Sequence, residues 1–150
     1  MIRILAIDHI VLRTERVKEM VDFYCKVLGC TLERALPEET GLSQLRAGQA
    51  LIDIVGVHSE LGRKGGEAPA TTGNNMDHFC LQIEPFEENE LLEFLAGHGV
   101  DHSNFETRYG AQGFGPSVYI KDPDGNTVEL KASIRHTNTQ NQEHKQTNSQ

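Results

Sequence analysis

The sequence predicts an α+β fold made of two copies of one βαβββ module, and three observations support this prediction. The apolar segment Ile7–Leu12 returns as Met76–Leu81, with a histidine in the same place of each copy. Each copy precedes an amphipathic stretch of helical periodicity that ends at a glycine. Each half then closes with an apolar strand that carries one carboxylate. We therefore expect two similar modules, at about residues 4–57 and 76–132.

The first module is predicted to begin with a strand over Ile4–Thr14 and a helix over Val17–Leu28. The helix prediction rests on apolar side chains that recur at helical spacing along one face. The remaining strands are expected at Thr31–Ala35, Leu42–Ala47 and Ala50–Val57. Only Gly48 and Gln49 separate the last two strands, which indicates a tight hairpin.

The second module is predicted to repeat this order after a glycine-rich linker, His58–Asn75. Its helix is expected over Glu87–His98. Its strands are expected at Asp77–Ile83, Val100–Glu106, Ser117–Lys121 and Thr127–Lys131. The sequence Asp122–Gly125 between the last two strands has the proline and glycine that favour a tight turn. The glycine-rich segment 109–116 is either a flexible substrate lid or an ordinary connection.

Composition limits the class of protein. A net charge of −8 argues against non-specific nucleic-acid binding, which depends on basic patches. No apolar run is long enough to span a membrane, and the first residues do not resemble a signal peptide. The three cysteines form no CxxC pair, so we expect reduced thiols and a cytoplasmic protein. Residues 133–150 are polar and are predicted to form a disordered tail.

The repeated segments supply candidate metal ligands. His9 and His78 occupy equivalent places in two predicted strands, and Asp53 and Glu129 lie in the closing strands. Each of these residues alone is more often an ordinary polar strand residue. Their recurrence in register favours a metal site, because surface residues have no reason to repeat. Imidazole and carboxylate donors suit one divalent ion, such as Zn²⁺, Ni²⁺, Mn²⁺ or Fe²⁺, and leave positions open for water or substrate.

Three segments resemble a known family. Ile7–Leu12 with Asp22–Cys30, Met76–Ile83 and Val118–Leu130 are similar to the glyoxalase, bleomycin-resistance and extradiol-dioxygenase group, the vicinal oxygen chelate superfamily. The resemblance covers about residues 4–132. It implies a glyoxalase-like fold, in which paired βαβββ modules curl into a mixed sheet around one divalent metal. Because edge strands need covering, we expect a homodimer, although two modules of one chain can also pair.

The resemblance places His9, His78 and Glu129 on ligand positions of the family. A fourth position falls at Asp53, where glyoxalase I has a longer glutamate. The implied function is a metal-dependent enzyme that binds vicinal oxygens of a small metabolite, in a lactoylglutathione lyase-like isomerisation or related lyase or dioxygenase chemistry. Glu129 is the predicted proton-transferring base, with Asp53 as second choice.

Two other functions stay open at this point. One is a metal-free protein of the bleomycin-resistance type that sequesters a ligand. The other is fosfomycin-type resistance, which needs a basic cluster around a phosphonate. Arg108 is the only cation that the sequence places near the glycine-rich segment 109–116, which weakens the phosphonate interpretation.

Overall fold

The computed structural model describes residues 1–134, and the chain divides into two compact units. The first unit holds residues 1–75 and 122–125, and the second holds residues 76–121 and those from 126 on. Each unit contains one four-stranded mixed sheet. No helix within residues 1–134 is long and apolar enough to cross a membrane.

The first unit has the strand order β1-β4-β3-β2. Its strands are β1 (His9–Thr14), β2 (Thr31–Ala35), β3 (Leu42–Ala47) and β4 (Ala50–Gly56). Strand β1 runs parallel to β4, and the other neighbours are antiparallel. Helix α1 (Val17–Asp22) continues as a π-helical turn over Phe23–Val27, and a 3₁₀ turn covers Gly62–Gly65.

Alternation along β1 and β4 separates a core face from an open face in the first unit. Leu12, Ile52 and Ile54 are buried on the core face, together with Met20 and Tyr24 of the helical segment. The other face presents His9 and Asp53, among others. The helix therefore packs on one side of the sheet, and the candidate ligands lie on the opposite side.

The second unit repeats this pattern with the strand order β5-β8-β7-β6. Its strands are β5 (His78–Ile83), β6 (Glu106–Gly110), β7 (Gly113–Lys121) and β8 (Thr127–Ala132), and its helix is α2 (Glu88–Gly97). Strand β5 runs parallel to β8, as β1 does to β4. The core includes Leu95, Val118, Ile120, Val128 and Leu130. The predicted α+β fold of two βαβββ modules is confirmed.

Three predicted strand starts are wrong. Strand β7 begins at Gly113 and not at Ser117. Strand β1 begins at His9 and not at Ile4, because the preceding residues are exposed and only the carbonyl of Asp8 reaches β4, where it accepts from Leu51 N. The strand predicted at Val100–Glu106 begins only at Glu106, and His102 makes one isolated bridge to Ile120. Val100 is buried as a core residue outside any strand.

The segment 109–116, a candidate lid in the sequence, is an ordinary hairpin. Strands β6 and β7 pair up to Gly110 and Gly113, with two residues between them. Of the predicted tail, Ser133 donates to the carbonyl of Ile83 and Ile134 N donates to Gln112. Residues 135–150, the rest of the predicted tail, lie outside the described residues.

Candidate metal centre

Strand register gives the histidine and the carboxylate the same relationship in both units. In the first unit His9 lies beside Leu51, two residues before Asp53 on β4. In the second unit His78 lies beside Thr127, two residues before Glu129 on β8. Side chains two residues apart on a strand point to the same face. Each sheet thus presents one imidazole and one carboxylate together on its open face.

Each histidine is oriented by the aspartate that precedes it. His9 Nδ1 lies 2.6 Å from Asp8 Oδ1, and His78 Nδ1 lies 2.6 Å from Asp77 Oδ2. A carboxylate accepts hydrogen bonds, so Nδ1 is the donor in both pairs. The neutral imidazole then carries its lone pair on Nε2. This is the arrangement in which outer carboxylates fix metal-binding histidines in proteins.

Asp8 and Asp77 were not predicted as functional residues. The signal for them is present in the sequence, because the dipeptide Asp-His occurs in both copies of the repeat. A repeated acid next to a repeated histidine is a pattern that indicates paired roles.

His78 and Glu129 aim their donor atoms at a common point. His78 Nε2 lies 3.2 Å from Glu129 Oε2, and Glu129 is only 6 % exposed. When His78 Nδ1 carries the proton and donates it to Asp77, the lone pair on His78 Nε2 faces a buried carboxylate oxygen of Glu129. Two such atoms repel each other unless a positive charge lies at the pair, either a second proton or a metal cation.

The distance between these two atoms fits a shared ion. Donor atoms that each lie about 2.0–2.2 Å from one metal, at angles of about 90–110°, are separated by about 3.0–3.5 Å. The observed 3.2 Å falls within that range. The pair in the second unit therefore has the chemistry and the spacing of two ligands of one ion.

Asp53 carries a buried oxygen that lacks a donor. The residue is 3 % exposed, and its Oδ2 accepts a 3.2 Å hydrogen bond from Gln44 Nε2. Its Oδ1 is buried and has no hydrogen-bond partner within the described part of the chain. A buried carboxylate oxygen without a partner is costly, and coordination to a cation is one way to compensate it.

The electrostatics of His9 reflect the same arrangement. The hydrogen bond to Asp8 raises the pKa of His9 above its usual value, and the negative charge of Asp53 adds to this increase against the opposing effect of desolvation. The carboxylate of Asp53 is therefore close enough to His9 to stabilise a positive charge on it. The same negative charge of Asp53 would also attract a bound metal cation.

The ligands predicted from the sequence are thus brought together in pairs. His78 and Glu129 are in contact, and His9 and Asp53 share a sheet face. Among residues 1–134, no group of three or more His, Cys, Asp and Glu side chains is close enough to hold a metal ion as it stands.

Two residues of β6 and β7 complete the surroundings of His78. Its ring meets the ring of Tyr119 edge to face, with centroids 5.2 Å apart. The guanidinium of Arg108 lies 4.2 Å above the same tyrosine ring, and its Nη1 donates to Ser117 Oγ. The open face of the second unit is therefore rich in groups that bind oxygen atoms.

Comparison with known proteins agrees with this description. The sequence model of the Glyoxalase/Bleomycin resistance protein/Dioxygenase superfamily matches residues 6–130. None of the curated proteins compared with the chain matches it.

Several solved structures have the same fold. An integron cassette protein from the mobile metagenome of V. cholerae is 26 % identical, with a TM-score of 0.68 over 88 % of this chain and 98 % of that one. A virulence protein from Salmonella typhimurium is 25 % identical, with a TM-score of 0.66 over 89 % and 100 %. A lactoylglutathione lyase from Agrobacterium tumefaciens is 21 % identical, with a TM-score of 0.61 over 85 % and 93 %.

The family match extends over both modules and includes all four candidate ligands. The solved relatives share the fold of this chain. This chain belongs to the glyoxalase, bleomycin-resistance and dioxygenase superfamily.

Proposed function

We propose that this protein is a metal-dependent enzyme that acts on a small metabolite with two neighbouring oxygen atoms. His9, His78 and Glu129 are the proposed ligands of one divalent ion, with Asp53 as the fourth. The observation that carries the proposal is the contact of 3.2 Å between His78 Nε2 and Glu129 Oε2. The unpartnered Oδ1 of Asp53 supports a ligand role for that residue.

The donor set fits a catalytic ion better than a structural one. Imidazole and carboxylate donors suit Zn²⁺, Ni²⁺, Mn²⁺ and Fe²⁺, and structural zinc sites are usually closed by cysteines. Three or four protein ligands leave room for substrate oxygens. A divalent cation in such a site polarises those oxygens and stabilises negative charge that develops on them.

The other proposed roles are orientation of the histidines and transfer of a proton. Asp8 and Asp77 hold the imidazoles so that Nε2 faces the site. Glu129 is the proposed base that takes a proton from the carbon next to a carbonyl and returns it to the neighbouring carbon. Asp53 is the second candidate for this step, because its buried Oδ1 accepts no hydrogen bond from the described residues 1–134.

The reaction class is proposed from the family and from one relative. A solved relative is named a lactoylglutathione lyase. A glyoxalase-type isomerisation calls for a metal site and a carboxylate base. Asp53 is shorter than the glutamate expected at the fourth position of glyoxalase I. We therefore propose isomerase or lyase chemistry on vicinal oxygens, with ring-cleaving dioxygenase chemistry as the second possibility.

The competing function is that of a metal-free binding protein of the bleomycin-resistance type. A metal-free binding protein does not require a lone pair on His78 Nε2 to face a buried glutamate carboxylate. The repeated Asp-His pairs are likewise unnecessary for simple sequestration. These features favour the enzyme.

The test is reconstitution followed by a substrate panel. Purified full-length protein is stripped with a chelator and reloaded separately with Zn²⁺, Ni²⁺, Mn²⁺ or Fe²⁺. Each form is assayed with a glutathione hemithioacetal, an α-hydroxy ketone and a catechol. We expect turnover of one class that disappears on stripping and returns with a metal. Tight binding of a panel compound by stripped protein, with no turnover under any metal, would support the binding protein instead.

A further inference from the structure

Lys131 is a buried cation on the same sheet face as Glu129. It lies two residues further along β8 and is 4 % exposed. Within residues 1–134 its ammonium has no ion pair and no hydrogen-bond acceptor, and its electrostatic neighbour is the Cys80 thiol. Burial of an ammonium group without a counter-charge is unfavourable. The ammonium is therefore available to an anionic group that binds on this face, close to the carboxylate of Glu129.

Two glycines make room for this lysine. A Cβ at Gly115 would lie 3.0 Å from Lys131 Nζ, and a Cβ at Gly110 would lie 3.2 Å from its Cδ. Neither glycine has a positive φ, so the backbone there does not require glycine. Glycine within a strand weakens the sheet and often marks a close approach of another group. Here that group is the lysine side chain.

Polar groups surround the position on the neighbouring strands. Lys131 lies between Gln82 on β5 and Ser117 on β7. Ser117 Oγ accepts a hydrogen bond from Arg108, whose guanidinium also pairs with the exposed Glu106 at 3.1 Å and brings a second cationic group to the same part of the face. Amide, hydroxyl and two cations are the groups that recognise an anionic oxygen cluster.

We propose that Lys131 binds an anionic group of the substrate, a carboxylate or a phosphate, while the neighbouring oxygens of the same molecule lie at His78 and Glu129. This inference rests on the proposed function and adds a substrate class to it, namely small anionic metabolites. Arg108 is not the only cation near the segment 109–116, because the ammonium of Lys131 lies against Gly115.

The experiment measures binding of inorganic phosphate and of acetate to stripped protein by calorimetry, at constant ionic strength. Lys131→Met removes the charge and keeps the length of the side chain. Lys64→Met is the matched control, because Lys64 is exposed on the 3₁₀ turn of the first unit, outside this sheet. Gly115→Ala displaces the ammonium without removing it.

We expect wild-type protein and Lys64→Met to bind at least one of the two anions equally. Lys131→Met should bind it roughly tenfold or more weakly, as the loss of a charge-assisted contact implies. Gly115→Ala should also bind it more weakly. Lys131→Met should keep the melting temperature of wild type, because methionine fills similar space and no ion pair or hydrogen bond of the ammonium within residues 1–134 is lost. Its metal content after reloading should equal that of wild type.

Two results would overturn the inference: equal anion affinity in wild type and Lys131→Met, or no binding of either anion by wild type. If Lys131→Met does not fold, Gly115→Ala decides, and unchanged affinity in that variant would also overturn it. Failure of the proposed function gives a different result, because protein that takes up no metal can still show anion binding that depends on Lys131.

Discussion

His78 Nε2 and Glu129 Oε2 lie 3.2 Å apart on neighbouring parallel strands of the second sheet. In the first sheet, His9 stands in the same register relationship to Asp53. Along the chain, the two histidine–carboxylate offsets differ, so the equivalence is a property of strand pairing. The duplication thus preserves the chemistry of the pair rather than its spacing in the sequence.

Glu129→Gln should remove metal binding and stabilise the stripped protein. The amide of glutamine can donate to Nε2 of His78, which relieves the repulsion between two unprotonated atoms. We expect metal affinity to fall by about 100-fold or more and the melting temperature of stripped protein to hold or rise. The checks are metal titration and thermal unfolding.

Glu93→Gln is the control for this charge change, because Glu93 is exposed on α2. It should leave both quantities as in wild type. A stripped Glu129→Gln protein that unfolds several degrees earlier than wild type would contradict this expectation.

Asp8→Asn should lower the pKa of His9 in stripped protein. The hydrogen bond to Asp8 is the largest cause of the raised pKa of His9. An amide in place of the carboxylate removes the negative charge that stabilises the imidazolium. Histidine titration by NMR measures the effect, with Glu15→Gln as a control for loss of a nearby exposed charge. An unchanged pKa in Asp8→Asn would show that the pair is not formed in solution.

Tyr24→Phe should destabilise the protein by about 1–2 kcal/mol at neutral pH. Tyr24 is buried, and its hydroxyl donates a 2.8 Å hydrogen bond to Asp122 Oδ2 in the turn before β8. Burial first, and then the charge of Asp122, raise the pKa of Tyr24 far above its usual value. The loss should appear in chemical denaturation.

The sign of the pH dependence follows from this raised pKa. The unfolded phenol has a pKa of about 10, so the stabilisation by Tyr24 is complete below that pH and falls as the pH rises above it. The stability difference between wild type and Tyr24→Phe should therefore shrink between about pH 10 and 11. Tyr109→Phe, at an exposed position, should track wild type throughout. A constant difference for Tyr24→Phe would contradict the assignment.

Arg13→Met should expose the linker to trypsin. The guanidinium of Arg13 donates to the carbonyls of Gly62, Gly65, Gly66 and Glu67, and so ties down the segment around the 3₁₀ turn. Loss of these bonds should speed cleavage after Arg63 or Lys64 by about tenfold. Arg34→Met, which removes an exposed arginine, is the control. Equal cleavage rates in the two variants would show that Arg13 does not order this segment.

The sequence predicts the elements with local signals most accurately. Strands β2 and β3 have the predicted bounds, because alternation and the Gly48 turn are encoded within a few residues. The strand expected at Val100 fails because apolar residues there fill the core without ladder partners. An apolar run alone does not reveal which strand, if any, will pair with it.

The candidate site was predictable only in part. The repeat identifies the histidines and the carboxylates, and the adjacent aspartates could have been found in the same repeat. Lys131 could not have been found in this way. The room for its side chain comes from Gly115 on the neighbouring strand β7 and from Gly110 on β6. A lysine in an amphipathic strand is usually exposed, and the exception is set by tertiary placement.

The central claim is that His9, His78 and Glu129 bind one divalent ion, and metal stoichiometry tests it most directly. Wild type, His9→Ala, His78→Ala and the exposed control His102→Ala are stripped, dialysed against Zn²⁺ or Ni²⁺ and analysed by mass spectrometry. We predict about one ion per chain in wild type and in His102→Ala, and little or none in the other two variants. A full ion retained by either His9→Ala or His78→Ala would contradict the account.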